Sequence, residues 1–196
     1  MKKLFCMAVA ALLFFPAYPS LILAADPSEI TQQQEPATKI EKFMSKKGSL
    51  YVKTFHAAGI LSGLYGQYVK TDSLIIQETG KDAQKIRGLR IEVHEGGRFE
   101  KSHTSFLDIE EVESLSQALE YMITLAENFQ KDDFEDYREV IFDTKGDFSV
   151  GFYQKNKEFQ AFAKSGRIGE SRCFFSINSL TELKADIERG LVSARK

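Results

Sequence analysis

The sequence has few of the residues that build disulfides, metal sites and nucleophilic centres. It contains two cysteines, three histidines and no tryptophan in 196 residues. Cys6 lies in the apolar N-terminal segment described below, so Cys173 has no intramolecular disulfide partner in the rest of the chain. None of the histidines has the spacing to a second histidine, a cysteine or a carboxylate pair that metal motifs require. The sequence therefore predicts no metal and no cofactor.

Nucleophile and phosphate-binding motifs are also missing. No G-x-S-x-G elbow occurs, and the glycine-rich residues 59–66 lack the spacing of a phosphate-binding loop, so they predict a chain reversal between strands. Ser102 and His103 stand near Asp108, but neighbours on a strand point to opposite faces and do not converge. We therefore predict no catalytic residues.

The sequence has no block of charge of one sign. Its 26 basic and 28 acidic residues are interspersed. Nucleic-acid binding depends on concentrated positive charge. The composition therefore argues against nucleic acid or an anionic membrane as a partner.

Residues 1–24 have the layout of a secretory signal peptide. Two lysines and an apolar run over residues 4–15 precede the small residues Ala24 and Ala25. We predict export to the periplasm or the extracellular medium, with cleavage after Ala24. The alternative is an uncleaved anchor, since the segment is just long enough to cross a bilayer.

The remainder of the chain predicts a polar leader and one domain. Residues 25–39 hold almost no large apolar side chain and are typical of a flexible leader. Residues 40–196 suit a single α+β domain with its own core and no membrane span. Loss of the two signal-peptide lysines leaves 24 basic and 28 acidic residues, a formal charge of −4.

Periodicity predicts strands followed by a helix in each half of this domain. Alternation with period two marks strands near residues 50–55, 72–79, 89–94 and 102–107, then near 140–142, 148–152, 159–163 and 171–175. Apolar residues then recur at helical spacing from Val112 to Ala126 and from Leu180 to Leu191. Asp108 with Glu111 fits a capping box, and Ser176 fits an N-cap.

The two halves match when shifted by 68 positions. The shift places Phe106 on Phe174, Asp108 on Ser176, Leu115 on Leu183 and Leu119 on Ile187. Half-repeats at 49–129 and 136–195 fit a duplicated ancestor, although any meander followed by a capped helix produces part of this match. We predict an α+β fold in which one continuous antiparallel meander sheet carries two helices on one face.

Two arginines are the candidate ligand-binding residues. Arg98 and Arg167 each follow a turn glycine, at equivalent places if the halves are repeats. Two guanidinium groups could form a rim for a carboxylate or a phosphate. The alternative is a local ion pair with Glu100 or Glu170.

Apolar residues remain on strand faces opposite the predicted core. They are Tyr51, Phe55, Ile75, Tyr153 and Phe162. An exposed apolar patch marks a contact surface, and three occupants are open: a dimer partner, a ligand, or the segment 40–44 folding back. Cys173, beside two phenylalanines, is interpreted as a buried residue; the alternative is a reactive thiol.

Three stretches carry a resemblance to other proteins. Residues 88–115 (GLRIEVHEGGRFEKSHTSFLDIEEVESL), 144–148 (TKGDF) and 165–178 (SGRIGESRCFFSIN) resemble a set of uncharacterised exported bacterial proteins. That set has no established activity. The resemblance therefore implies a single non-catalytic domain and supplies neither catalytic residues nor a ligand.

These observations favour an exported, non-catalytic binding or interaction module for a protein or a small ligand. A homodimer through the second sheet face is one form of such a module. The alternatives are a small secreted hydrolase that uses His103 or Cys173, and a structural envelope protein. A concave second sheet face would favour ligand binding, and a flat one would favour assembly.

Overall fold

The computed structural model describes residues 37–80, 84–98 and 100–196 of the chain. The predicted signal peptide and almost all of the predicted leader lie outside these residues. The described elements are α1 (Lys39–Met44), β1 (Tyr51–Ser62), β2 (Tyr68–Glu78), β3 (Lys85–Glu95), β4 (Lys101–Asp108), α2 (Ile109–Phe129), β5 (Tyr137–Asp143), β6 (Phe148–Lys155), β7 (Glu158–Ser165), β8 (Ser171–Phe175) and α3 (Leu180–Arg195). The predicted α+β class is confirmed, as is the order of strands followed by a helix in each half.

The eight strands form two antiparallel meanders. The first sheet has the order β1-β2-β3-β4 and the second has the order β5-β6-β7-β8. This architecture is consistent with a duplicated unit of four strands and a helix. The expectation of one continuous sheet is wrong, because the 21-residue helix α2 separates β4 from β5 in the chain and the two strands do not pair.

Each long helix reaches the sheet of the other half. Ser193 of α3 lies 3.1 Å from Ser73 of β2, between the two hydroxyl oxygens. Phe129 of α2 packs edge-on against Phe152 of β6, with 6.0 Å between ring centroids. The helices also contact each other, since Ser116 Oγ donates to Glu188 Oε1 at 2.9 Å. Both long helices therefore pack on the inner face of the first sheet, and α2 also reaches the second sheet.

One core joins both sheets and both long helices. Leu115 and Leu119 of α2 and Leu183 and Ile187 of α3 are completely buried in it. The inward residues of the strands complete this core, as the period-two pattern predicts. The meanders also touch through polar side chains, with Ser105 Oγ and Ser165 Oγ 2.8 Å apart.

The helix starts follow the predicted capping chemistry. Asp108 and Glu111 form the capping box of α2, in which the Asp108 amide donates to Glu111 Oε2 at 3.3 Å. Ser176 caps a short 3₁₀ turn (Ile177–Ser179) that leads into α3. The predicted chain reversal at residues 59–66 is shorter than expected: β1 continues to Ser62, and a 3₁₀ turn (Leu64–Gly66) makes the reversal.

A short helix covers part of the outer face of the first sheet. Ile40 and Phe43 of α1 pack on Leu74 and Ile76 of β2, and Phe106 lies against the same cluster. The amide of Lys39 donates to Asp108 Oδ2 at 2.8 Å, which fixes the start of α1 at the end of β4. Of the three occupants considered for the outer apolar residues, the folded-back segment is the one present here.

None of the helices in the described ranges is both long and apolar enough to cross a membrane.

Candidate functional site

The outer face of the second sheet holds a groove lined by aromatic side chains. Its volume is about 300 Å³, and its lining, here called the aromatic groove, comprises Tyr137, Glu139, Tyr153, Phe162, Lys164, Arg172 and Phe174. All four strands β5 to β8 contribute. Strand alternation places these side chains on one face, since their inward neighbours, such as Phe152, Ala163 and Cys173, are fully buried in the core.

The aromatic rings form a row across the sheet. The ring centroids of Tyr137 and Tyr153 are 5.9 Å apart in a stacked arrangement. Those of Tyr153 and Phe162 are 6.5 Å apart and tilted. Phe162 lies opposite Gly151 on β6 and opposite Phe174 on β8. Because Gly151 has no side chain, the Phe162 ring occupies the space above it, where an added Cβ would lie 3.0 Å from Phe162 Cζ.

One end of the aromatic groove carries a surplus of positive charge. Lys164 and Arg172 are direct partners across β7 and β8. Both pair with the single carboxylate of Glu170: the Arg172 guanidinium contacts it closely, and Lys164 Nζ stays 3.9 Å away. Lys164 Nζ also lies 5.7 Å from the centroid of the Phe162 ring. Because two cations share one carboxylate, this end of the aromatic groove has positive charge that could pair with a second acidic group.

The opposite end of the aromatic groove is a tyrosine beside a carboxylate. Partial desolvation raises the pKa of Tyr137, and the nearby Glu139 carboxylate raises it further. The Tyr137 hydroxyl is therefore neutral at physiological pH and is a hydrogen-bond donor and acceptor.

The aromatic groove is open because the second sheet has no counterpart of α1. On the first sheet, α1 buries Leu74 and Ile76 of β2 and packs against Phe106 of β4, which is partly buried. Phe174 is the matching residue of the second half, one position before the end of β8. No helix among the described residues lies on it. The outer face of the second sheet is therefore open, whereas α1 covers part of the same face on the first sheet.

The two predicted arginines lie in equivalent turns, between the third and fourth strands of each meander. Gly97 and Gly166, which precede them, both have the left-handed backbone that glycine favours, with φ of 106° and 98°. Arg167 pairs closely with Asp147 of the turn between β5 and β6. Arg98 is likewise engaged in an interaction.

A polar groove lies beside these turns, at the end where the two meanders meet. It measures about 380 Å³ and is lined by Glu95, Lys101, Arg167, Gly169, Glu170 and Arg172. Acidic and basic side chains alternate around it. Of the two predicted arginines, Arg167 lines this groove and Arg98 is not part of its lining within the described residues.

The serine and histidine candidates do not converge. Ser102 lies 2.9 Å from Nδ1 of His94, whose ring stacks on Tyr68. His94 is half-buried. His103 points to the other face of β4, where its Nδ1 lies 2.8 Å from the hydroxyl of Ser171. Ser171 is completely buried, so a substrate cannot reach its hydroxyl.

Cys173 is also completely buried. Burial raises the pKa of its thiol to about 12, so the thiolate is essentially absent at neutral pH. Within the described part of the chain, no group of three or more histidine, cysteine, aspartate or glutamate side chains could hold a metal ion.

Sequence reasoning found two residues of the aromatic groove and missed five. Tyr153 and Phe162 were singled out as apolar residues on an outer face. The missed residues are Tyr137, Glu139, Lys164, Arg172 and Phe174. The same alternation that locates the inward residues of each strand also locates these, but their convergence depends on the pairing register of β5 to β8.

The fold is a two-sheet α+β domain whose second sheet carries the open aromatic groove. No protein-family model, no curated protein and no solved structure matches the chain. The resemblance to uncharacterised exported bacterial proteins therefore stays a prediction.

Proposed function

We propose that the protein is an exported, non-catalytic binding module that holds a small ligand in the aromatic groove. The observation that carries this proposal is the open, concave row of rings on the second sheet, at the place that α1 covers on the first sheet. Binding sites for small molecules are typically concave and aromatic, with a few polar groups that fix orientation.

The chemistry of the lining defines the ligand class. The stacked rings of Tyr137 and Tyr153 suit a flat apolar ring, which pairs with aromatic side chains in offset or tilted geometry. Lys164 and Arg172 suit an acidic group at one end of that ring, because they outnumber the carboxylate between them. The ligand is therefore a ring compound with one carboxylate, sulfonate or phosphate.

The hydrolase alternative has less support. Its two candidate residues are His103, whose serine partner is buried, and Cys173, which is buried and protonated. A hydrolase needs a nucleophile that a substrate can reach.

The test uses 8-anilinonaphthalene-1-sulfonate, a fluorescent probe with flat apolar rings and one acidic group. We expect saturable binding with one probe per chain. Tyr153→Ala should weaken binding about 2–10-fold, since an aromatic pair contributes about 0.5–1.5 kcal/mol. Arg172→Ala should weaken binding of this probe but not of an uncharged naphthalene derivative.

The matched control is Tyr121→Ala. Tyr121 is an exposed tyrosine of α2 outside the aromatic groove, so its removal should leave probe binding unchanged. Equal probe affinity in wild type and Tyr153→Ala would refute the proposal.

A further inference from the structure

The longest strand of the first sheet is also its edge. β1 has 12 residues, and only Leu61 is buried among them. Within the described residues β1 pairs only with β2. Native proteins normally protect such edges, because a free strand edge presents a row of unpaired backbone groups to other chains.

Exposed apolar side chains are concentrated along this edge. Of the eleven exposed large apolar or aromatic side chains in the described residues, six lie between positions 50 and 65: Leu50, Val52, Phe55, Ile60, Leu64 and Tyr65. The edge also has high β-propensity and no proline. An exposed apolar strand of this length is typical of a surface that pairs with another strand.

The hydrogen bonds to β2 show which backbone groups are available. The amide of Thr79 donates to the carbonyl of Leu50 at 2.9 Å, whereas the amide of Glu78, the partner of Tyr51, donates to Gln84 on the other side. Backbone groups alternate in direction along an antiparallel strand. Leu50, Val52, Thr54 and His56 therefore face β2, and Tyr51, Lys53 and Phe55 direct their N–H and C=O groups away from the sheet.

The second half of β1 is blocked to a new strand. The register between β1 and β2 shifts between Ala57 and Gly59, which marks a bulge. Arg189 Nε donates to the carbonyl of Ala58 at 2.8 Å and so occupies the edge there. The pairing surface is therefore limited to residues 51–57, here called the edge segment. At the end of the edge segment, an open groove of about 550 Å³ lies between Ala57 and Val192 of α3.

We propose that the edge segment pairs antiparallel with the edge segment of a second copy of the chain, which joins two four-stranded sheets into one of eight strands. Identical strands pair antiparallel around a twofold axis, so the contact is self-complementary and closed. Apart from His56, Lys53 is the only ionisable basic or acidic side chain of the edge segment, so a second copy brings no opposing charge cluster. This interface is separate from the aromatic groove and does not depend on the proposed ligand.

Charge and the bulge together fix the register. An axis at Lys53 would set two ammonium groups opposite each other, and like charges in that position are destabilising. An axis at Phe55 would pair Tyr51 with Gly59, beyond the bulge. An axis at Thr54 pairs Lys53 with the second copy's Phe55 and keeps every pair within residues 51–57. The two Thr54 side chains then face each other.

The first test is self-association measured by sedimentation velocity over a wide range of protein concentration. Wild type should form dimers. Thr54→Asp should be monomeric, because it sets two carboxylates opposite each other at the axis. Its melting temperature should match that of wild type at protein concentrations low enough for wild type to be monomeric. Thr104→Asp is the control, since Thr104 is an exposed threonine on β4, the other edge of the same sheet; it should still dimerise.

The second test fixes the register by disulfide formation. In the full chain with Cys6→Ser, the remaining native cysteine, Cys173, is buried. Thr54→Cys should give a covalent dimer on mild oxidation, whereas Val52→Cys, which faces the second copy's His56, should not. A monomeric wild type at all concentrations, a dimeric Thr54→Asp, or equal cross-linking of the two cysteine variants would each overturn the proposal.

Discussion

Cys173 lies on β8 with its thiol against the backbone of Gly63, where an added Cβ would lie 2.4 Å from the sulfur. Because the Gly63 backbone and the Cys173 sulfur lie so close together, neither position has room for a larger side chain. A small, weakly polar side chain suits such a position, since free cysteine packs as a small hydrophobe.

We predict that Cys173 reacts slowly with a thiol reagent in the native protein and quickly in denaturant. Reaction requires the thiolate, and burial both raises the thiol pKa to about 12 and blocks the reagent. Cys173→Ala should fold and bind the fluorescent probe as wild type does. Cys173→Ser is the informative companion, since its buried hydroxyl should lower stability more than alanine does. Fast labelling of the native protein would show that the site is reactive.

Asp186 is a carboxylate of α3 that is buried against the backbone of Gly59. Burial raises its pKa above the ordinary value of 3.8; Arg189 opposes this effect and Glu182 adds to it. The protonated form is thus favoured by folding. The resulting stability is fully present below pH 3.8 and is lost as the pH rises through the raised folded-state pKa.

We predict that Asp186→Asn removes this pH dependence. The free energy of unfolding of the variant, minus that of wild type, should be larger at neutral pH than near pH 3.8, because the protonated form that folding favours is less populated as the pH rises. Urea denaturation at the two pH values measures the difference. An identical difference at both would mean that folding does not raise the pKa of Asp186.

At the scale of elements, Asp108 joins two helices to one strand. It ends β4 and begins α2 in a capping box. Its carboxylate also accepts hydrogen bonds from the amides of Lys39 at 2.8 Å and Ile40 at 3.2 Å, at the first turn of α1. A single carboxylate therefore stabilises the starts of both α1 and α2.

We predict that Asp108→Ala lowers the free energy of unfolding by about 2–4 kcal/mol, from a lost cap and lost hydrogen bonds to a charged group. Ser176→Ala is the matched control, because Ser176 is the equivalent cap of the second half and has no α1 to hold. It should cost about 1 kcal/mol. Chemical denaturation measures both, and equal losses would contradict the double role of Asp108.

The elements themselves could be predicted from the sequence. Alternation along residues such as Leu89, Ile91 and Val93 gives strands, and the spacing of Leu115 and Leu119 gives a helix, because burial on one face imposes a period. The length of β1 was harder to predict, because this strand extends through Gly59. The glycine-rich residues 59–66 predict a chain reversal at that position. Gly59 is needed there for close approach to Asp186, not for a turn.

At the scale of the whole molecule, the partner of each apolar face could not be predicted. The buried positions of Leu183 and Ile187 have the same period whether α3 packs on its own sheet or on the other one. Two sheets that share both helices in one core satisfy the same pattern as one sheet with two helices. The aromatic groove was partly visible in Tyr153 and Phe162, but the missing counterpart of α1 is a property of the assembled fold.

We predict that Leu115→Ala and Leu183→Ala each cost about 2–5 kcal/mol, the usual range for a completely buried leucine. Both losses should appear in one cooperative transition, because both side chains belong to one core. Calorimetry and circular dichroism should give coincident midpoints. Two separate transitions, or a mild effect of one substitution beside a severe effect of the other, would show that the halves are energetically independent.

The packing of α3 on the first sheet also sets the order in which the core can be completed. The contact between Arg189 and Ala58 spans 131 positions of the chain. During synthesis, β1 to β4 emerge first, and their inner face stays without α3 until more than seventy further residues have been made. During that interval the first sheet lacks part of its core packing, and exposed apolar surface of this kind favours aggregation. Closing so long a loop is also slow. We therefore expect the domain to fold cooperatively only after α3 has been made, with the docking of α3 as the rate-limiting step.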